Sequence, residues 1–265
     1  MLEWMIYPLL GIIVGLIAGL LGIGGGVVVV PFLIFVFTAQ GFSAQHMMQL
    51  ALATSLGSIV FTSVASFMTH HRHGAVRWDI VKGITLGILI GTFSGTWFAA
   101  QLSTKALKIF FAIFLYYVAA TMLSNFKPKP TRQLPGILGI NGVGVVIGVI
   151  SSLVGIGGGA LSIPFMMWCN VPVHHAIGTS AAIGFPIAVA GTLGYIVNGL
   201  SVANLPTPHL GYLYVPALFG IALFSFFTAP LGAKLAHKTP VVILKRIYAG
   251  FLIIIATRIL WTALL

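Results

Sequence analysis

The chain has 265 residues, of which 59% are hydrophobic and only 6% charged, and its mean hydropathy is +1.11. A soluble domain carries about 25% charged residues, so this chain cannot cover itself with a water-facing surface. Thirteen Lys and Arg against two Asp and Glu give a formal charge of +11. That excess would suggest nucleic acid in a soluble protein, but basic loops orient a membrane protein, and no nucleic-acid partner is expected here.

In chain order, apolar runs predict helices at 4–21, 26–39, 47–69, 80–100 and 106–124, then at 136–153, 159–169, 175–197, 210–231 and 241–263. Many are long enough to cross roughly 30 Å of hydrocarbon. No ten-residue segments alternate as they would in a β-barrel. The expected fold class is an all-α polytopic membrane protein, with the lipid bilayer as its partner. No Lys or Arg precedes Arg72, so the first run is expected to stay in place and not be cleaved as a signal. The single cysteine, Cys169, excludes an internal disulfide and a cysteine-based zinc site.

The chain repeats itself. "LLGIGGGVVVVPF" from Leu20 returns as "LVGIGGGALSIPF" from Leu153. Thr54-Ser55 returns as Thr179-Ser180, and "LKIFFAIFLYYVA" from Leu107 as "LKRIYAGFLIIIA" from Leu244. Matched Gly, Pro, Thr-Ser and Lys in one order mark a tandem duplication. The stretch "NFKPKPTRQLP", with three prolines and three basic residues, reads as a linker. The expected organisation is a first repeat at 1–124, a linker at 125–135 and a second repeat at 136–265.

Charge decides how the repeats are oriented. If each glycine motif lay inside one continuous span, the basic residues would divide seven to six, which sets no orientation. If each motif turns the chain back, Arg72, Arg77, Lys82, Lys127, Lys129, Arg132, Lys234, Lys238, Lys245 and Arg246 share one side. Only Lys105, Lys108 and Arg258 then lie opposite. The ten-to-three split favours inverted repeats, each a glycine-tipped helical hairpin plus three transmembrane helices. It also places the ten-residue side in the cytoplasm and both termini outside.

A bend at membrane depth must be covered by protein or line a water-filled cavity. Glycines allow it and expose backbone N–H groups at the start of the next helix, an end that attracts anions. Gly22, Gly24, Gly25 and Gly26, with Gly155, Gly157, Gly158 and Gly159, are therefore candidate substrate ligands. Their ordinary role would be close helix packing, the role assigned to Gly11 and Gly15. A nucleotide-binding P-loop is excluded, because neither motif carries the required Lys. Thr54, Ser55, Thr179 and Ser180 could donate to an anionic oxygen, or bond a carbonyl one turn back. Pro31 and Pro164 follow the motifs and join the candidate gating positions.

The most polar stretch is "THHRHGAVRWD" at 69–79, matched by "GYIVNG" at 194–199. His70, Arg72, Tyr195 and Asn198 are candidate coupling or gating residues, since histidine carries protons near neutral pH. The ordinary reading is an interfacial loop with Arg72 and Arg77 as anchors and Trp78 in the aromatic belt. Asp79 is expected to pair with Arg77 or Lys82. No metal or cofactor is assigned, although His70–His73 keep a metal or cation permease open as the alternative. One cysteine and two acids do not suit an enzyme.

The paired "GIGGG" motifs with their following Pro, the "ATS" at 53–55, the "GTS" at 178–180 and the basic central linker resemble the sulfite exporter TauE/SafE family. The resemblance spans nearly the whole chain. It implies a transporter, here read as an exporter, of sulfite, sulfonates or related organosulfur acids across a bacterial inner membrane. A small anionic substrate is the implied partner. A homodimer is compatible, though no residue demands one.

Overall fold

The computed structural model describes residues 2–21, 25–124, 132–236 and 241–264. Among them are ten α-helices: α1 (Leu2–Leu21), α2 (Gly26–Ala39), α3 (Met47–Arg72), α4 (Trp78–Gln101), α5 (Thr104–Leu123), α6 (Ile137–Val154), α7 (Gly159–Trp168), α8 (Val173–Gly199), α9 (Val215–Ala236) and α10 (Val241–Leu264). The only strands among the described residues are the two-residue β1 (His209–Leu210) and β2 (Leu213–Tyr214), paired antiparallel. Among the described residues, six helices are long and apolar enough to cross a membrane. At 14 and 10 residues, α2 and α7 are about 21 and 15 Å long, well short of a full crossing.

Predicted and observed elements agree closely, with one displaced start. The run at 210–231 begins instead as the β1–β2 ribbon, and α9 starts at Val215. Leu210, Leu213 and Tyr214 are apolar enough to pass for helix. However, Gly211 adopts φ 56°, a left-handed turn that no helix continues through.

The core is the crossing of α3 with α8. Met47 through Ile59 are buried without interruption, and so is most of α8. The two helices run antiparallel: Leu56 lies against Gly191, Ser63 beside Gly184, and Ala75, just past α3, against Gly178. On one flank α4 lies parallel to α6, with Gly87 and Gly91 set against the carbonyls of Asn141 and Val145. On the other flank α1 lies parallel to α9, where Gly11 abuts the carbonyl of Gly220. Small residues at these crossings let backbones touch, the packing that helices need inside lipid. That role for Gly11 and Gly15 is as expected, since Gly15 meets Ser225 and Thr228 of α9. The hairpin α1–α2 closes at its open end, where Tyr7 Oη donates to Gln40 Oε1 at 2.5 Å. Helix α7 runs back beside α8, with Ser162 Oγ donating to Ser180 Oγ at 2.8 Å.

The outer faces stay apolar. Leu86, Ile90, Phe93 and Trp97 of α4, Phe219 and Phe227 of α9, and Ile254 and Trp261 of α10 are all exposed. A surface of this kind is stable only against hydrocarbon, so the chain is a multi-pass membrane protein. An open groove of about 660 Å³ on this face, lined by Leu89, Ile90, Phe93 and Trp97, offers an anion almost nothing polar.

Candidate functional site

The second glycine motif is described throughout. Helix α6 ends at Val154 and is capped by Gly155, with φ 71°, and α7 is capped at its start by Gly158, with φ 76°. Both are left-handed, a conformation glycine adopts without steric cost. The N–H groups of Gly155 and Ile156 both donate to the Ser151 carbonyl, at 2.8 and 3.1 Å. Those of Leu161 and Ser162 donate to the Gly158 carbonyl. The N–H groups of Gly157, Gly158, Gly159 and Ala160 have no acceptor among the described residues. They form the positive end of α7, where the summed peptide dipoles favour an anion.

The two motifs meet. Gly26, the first residue of α2, is so close to the second turn that a Cβ there would collide with the Gly155 carbonyl and stand 3.0 Å from Ile156 Cα. Gly157 sits between Ile59, near the middle of α3, and Gly184, near the middle of α8. Gly25 precedes α2 in a right-handed conformation. Gly22 and Gly24 lie outside the described residues. Pro31 and Pro164 are each the sixth residue of their short helix and leave the carbonyls of Val27 and Ala160 without a helical donor.

The hydroxyl pairs surround this meeting point, and all four are buried. Ser55 Oγ donates to the Gly155 carbonyl at 2.8 Å, tying α3 of the first half to the turn of the second. Ser180 Oγ receives Ser162. The two threonines do the same job in their two halves. Thr54 Oγ1 accepts the N–H of Tyr214, just before α9, at 3.1 Å, and Thr179 Oγ1 accepts the N–H of Arg77, just before α4, at 2.9 Å. In this conformation both anchor the start of a neighbouring helix. Thr54→Ala or Thr179→Ala removes that acceptor and is expected to lower stability by about 1–3 kcal/mol, read as a fall in Tm of the detergent-solubilised protein.

The candidate coupling residues divide between opposite ends of the α3–α8 pair. His70 is half-buried and Arg72 exposed at the end of α3. At the end of α8, Tyr195 is fully buried, and its hydroxyl donates to the Ser152 carbonyl at 3.0 Å. Asn198 Nδ2 donates to Gly194 of its own helix. The two other histidines of this stretch have local partners: Trp78 Nε1 donates to His71 Nδ1, and His73 Nδ1 lies 2.8 Å from the Thr69 carbonyl. Asp79 pairs with Arg77, as expected, with Nε to Oδ1 at 2.8 Å. That hydrogen bond pushes the Arg77 guanidinium above its ordinary range.

Several polar groups here escaped the sequence reading. Ser151 on α6 and Thr92 on α4 are fully buried, and neither hydroxyl has a partner. Ser152 donates to Val149, and Thr96 to Phe93. The usable signal was asymmetry between the repeats. Ser151 stands where the first half has Ala18, and Ser162 where it has Val29.

Comparison with known proteins settles the family. A family model described as "Sulfite exporter TauE/SafE" matches residues 7–259. The chain belongs to the TauE/SafE family. Its TauE/SafE-type sequence is 36% identical to a "Probable membrane transporter protein" of Haemophilus influenzae over 250 residues, covering 94% of each chain. It is 26% identical to the "Probable membrane transporter protein YunE" of Bacillus subtilis, over 92% of this chain and 94% of the relative. It is 29% identical to the "Probable membrane transporter protein MJ0441" of Methanocaldococcus jannaschii, over 88% of each. This TauE/SafE chain is a membrane transporter.

Proposed function

We propose that the protein is a secondary transporter that exports sulfur-containing anions, such as sulfite, sulfonates or related organosulfur acids, across the bacterial inner membrane. Transport proceeds by alternating access, with one repeat rocking against the other around the paired glycine turns. The observation that carries this reading is the row of unpaired N–H groups from Gly157 to Ala160. It lies midway along α3 and α8, where the first motif abuts the second. Broken helices whose N-termini point at an anion from the middle of the fold are a recurring design in secondary transporters. The family name supplies the sulfur chemistry.

The antiparallel crossing supports inversion. Helices α3 and α8 hold equivalent places in the two halves, yet they run in opposite directions. An axis along the membrane normal would keep equivalent helices parallel. The flanking pairs agree, since α1 with α9 and α6 with α4 are the same contact made once from each half. Inversion places the ends of α3 and α9 on one side, so the side carrying Arg72, Arg77 and Lys234 faces the cytoplasm, and both termini face outward.

In this reading Gly25, Gly26, Gly157, Gly158 and Gly159 bring backbone dipoles to the anion. The buried hydroxyls of Thr54, Ser55, Thr179 and Ser180, which now hold the starts of α9 and α4, the second turn and α7, exchange partners as the repeats move. The test is flux of labelled sulfite and methanesulfonate into proteoliposomes, with and without a pH gradient. Saturable uptake of either anion is expected. A response to the gradient would show that a proton accompanies it. No flux from folded protein would remove the sulfur-anion assignment and leave the architecture standing.

A further inference from the structure

We propose that Ser151 is a direct ligand of the transported anion, donating its hydroxyl to an oxygen held at the N-terminus of α7. This rests on the anion reading above and deepens it by naming the side chain that gives the site directional chemistry.

A helical serine ordinarily turns its hydroxyl onto a carbonyl three or four residues back. Ser152 does so with Val149 at 2.8 Å, and Ser58 with Ser55 at 2.7 Å. Ser151 does not. Its Oγ is buried, its residue is fully inaccessible to solvent, and it has no partner. A buried polar group left unpaired costs stability and calls for an explanation in function. The position supplies one. Ser151 Oγ lies 3.4 Å from where a Cβ on Gly158 would stand, and Gly158 is the cap residue of α7. The Ser151 carbonyl is held by the N–H groups of Gly155 and Ile156, which fixes the residue relative to the turn. One unpartnered hydroxyl donor and four free N–H donors therefore belong to the same turn. A negatively charged oxygen with several lone pairs satisfies both kinds.

The first half cannot match this, because Ala18 occupies the equivalent position. The donor set is therefore polarised toward the second repeat. The class of ligand that fits is an oxyanion, whose oxygens accept directional hydrogen bonds, in preference to a halide.

The experiment measures ligand-induced thermal stabilisation of the purified full-length protein with sulfite, methanesulfonate and chloride. A ligand that binds only the folded state raises Tm with its concentration. Wild type, Ser151→Ala and Ser152→Ala are compared. For Ser151→Ala the half-saturating oxyanion concentration is expected to rise about tenfold, consistent with loss of a hydrogen bond to a charged group. Its ligand-free Tm should equal or exceed that of wild type, because the lost hydroxyl was unpartnered. Ser152→Ala, whose hydroxyl is already bonded within α6, should stay within about twofold of wild type. If wild type responds and Ser151→Ala responds equally, the ligand role is overturned while the anion reading survives. A ligand-free Tm several degrees below wild type in Ser151→Ala would make the hydroxyl structural and overturn it as well. If wild type responds to neither oxyanion, both readings fall.

Discussion

Gly158→Val is expected to cut anion flux to less than about a hundredth of wild type, because small displacements at a tightly positioned site cost factors of this size. Gly158 has φ 76°, and a Cβ there would stand 2.5 Å from Ile187 Cδ1 and 3.2 Å from Ile147 Cγ2. A left-handed conformation costs an ordinary residue about 1–2 kcal/mol, and more for a β-branched one. Extra bulk in a packed core adds roughly 1–3 kcal/mol. A folded protein of ordinary stability, about 5–15 kcal/mol, survives that sum by shifting the turn. The shift displaces the unpaired N–H groups of Gly157–Ala160 at the start of α7. Loss of flux should therefore exceed loss of folded protein, as measured by flux per unit of monodisperse protein after reconstitution. Gly142→Ala is the matched control. It lies on α6 with open space around its Cα, and alanine there favours the helix by about 1 kcal/mol. If Gly158→Val disperses as unfolded protein, the turn serves packing; if it folds and transports normally, the turn binds no anion.

Much of this fold could be read from the residues, because membrane helices announce themselves by length and apolarity. The places where the reading slipped have local causes. Past the apolar run at 47–69, α3 continues through His70, His71 and Arg72, since a helix does not need apolar residues once it leaves lipid. At 210–214 apolar side chains concealed the β-ribbon, whose cause is the backbone at Gly211. The pairing of Asp79 with Arg77 was legible because so few acids compete for it.

The site divided along a different line. What is written twice in the sequence, such as the glycine motifs and the Thr-Ser pairs, stood out. What each threonine holds could not be seen, because the partners are main-chain groups of Tyr214 and Arg77, 160 and 102 residues away. Ser151 was invisible for the opposite reason. It is written once, against Ala18, and a search for matched positions passes over it.

Cysteines placed at His73 and Ser201, one at a time in a Cys169→Ala background, should react with a membrane-impermeant maleimide from opposite faces. His73 caps the end of α3, and Ser201 follows the end of α8 by two residues; both are exposed. Ala75 packs on Gly178 near the start of α8, whereas Gly199 at its end packs on Gly211 and Tyr212. The two loops are therefore separated by the full 26-residue length of α3, about 39 Å, against roughly 30 Å of hydrocarbon. Cys169 is the sole native cysteine, and burial pushes its thiol up, so its removal leaves a silent background. The effect should be all-or-none in sealed right-side-out vesicles: Ser201→Cys labels at once, and His73→Cys labels only after the membrane is opened. Labelling of both from the same side would overturn the inverted arrangement. Labelling with the two sides exchanged would keep the inversion but reverse the orientation argued from charge, placing Arg72, Arg77 and Lys82 outside against the usual bias of cytoplasmic loops. The expected pattern instead leaves the cationic side in the cytoplasm, in line with the usual excess of Lys and Arg in cytoplasmic loops.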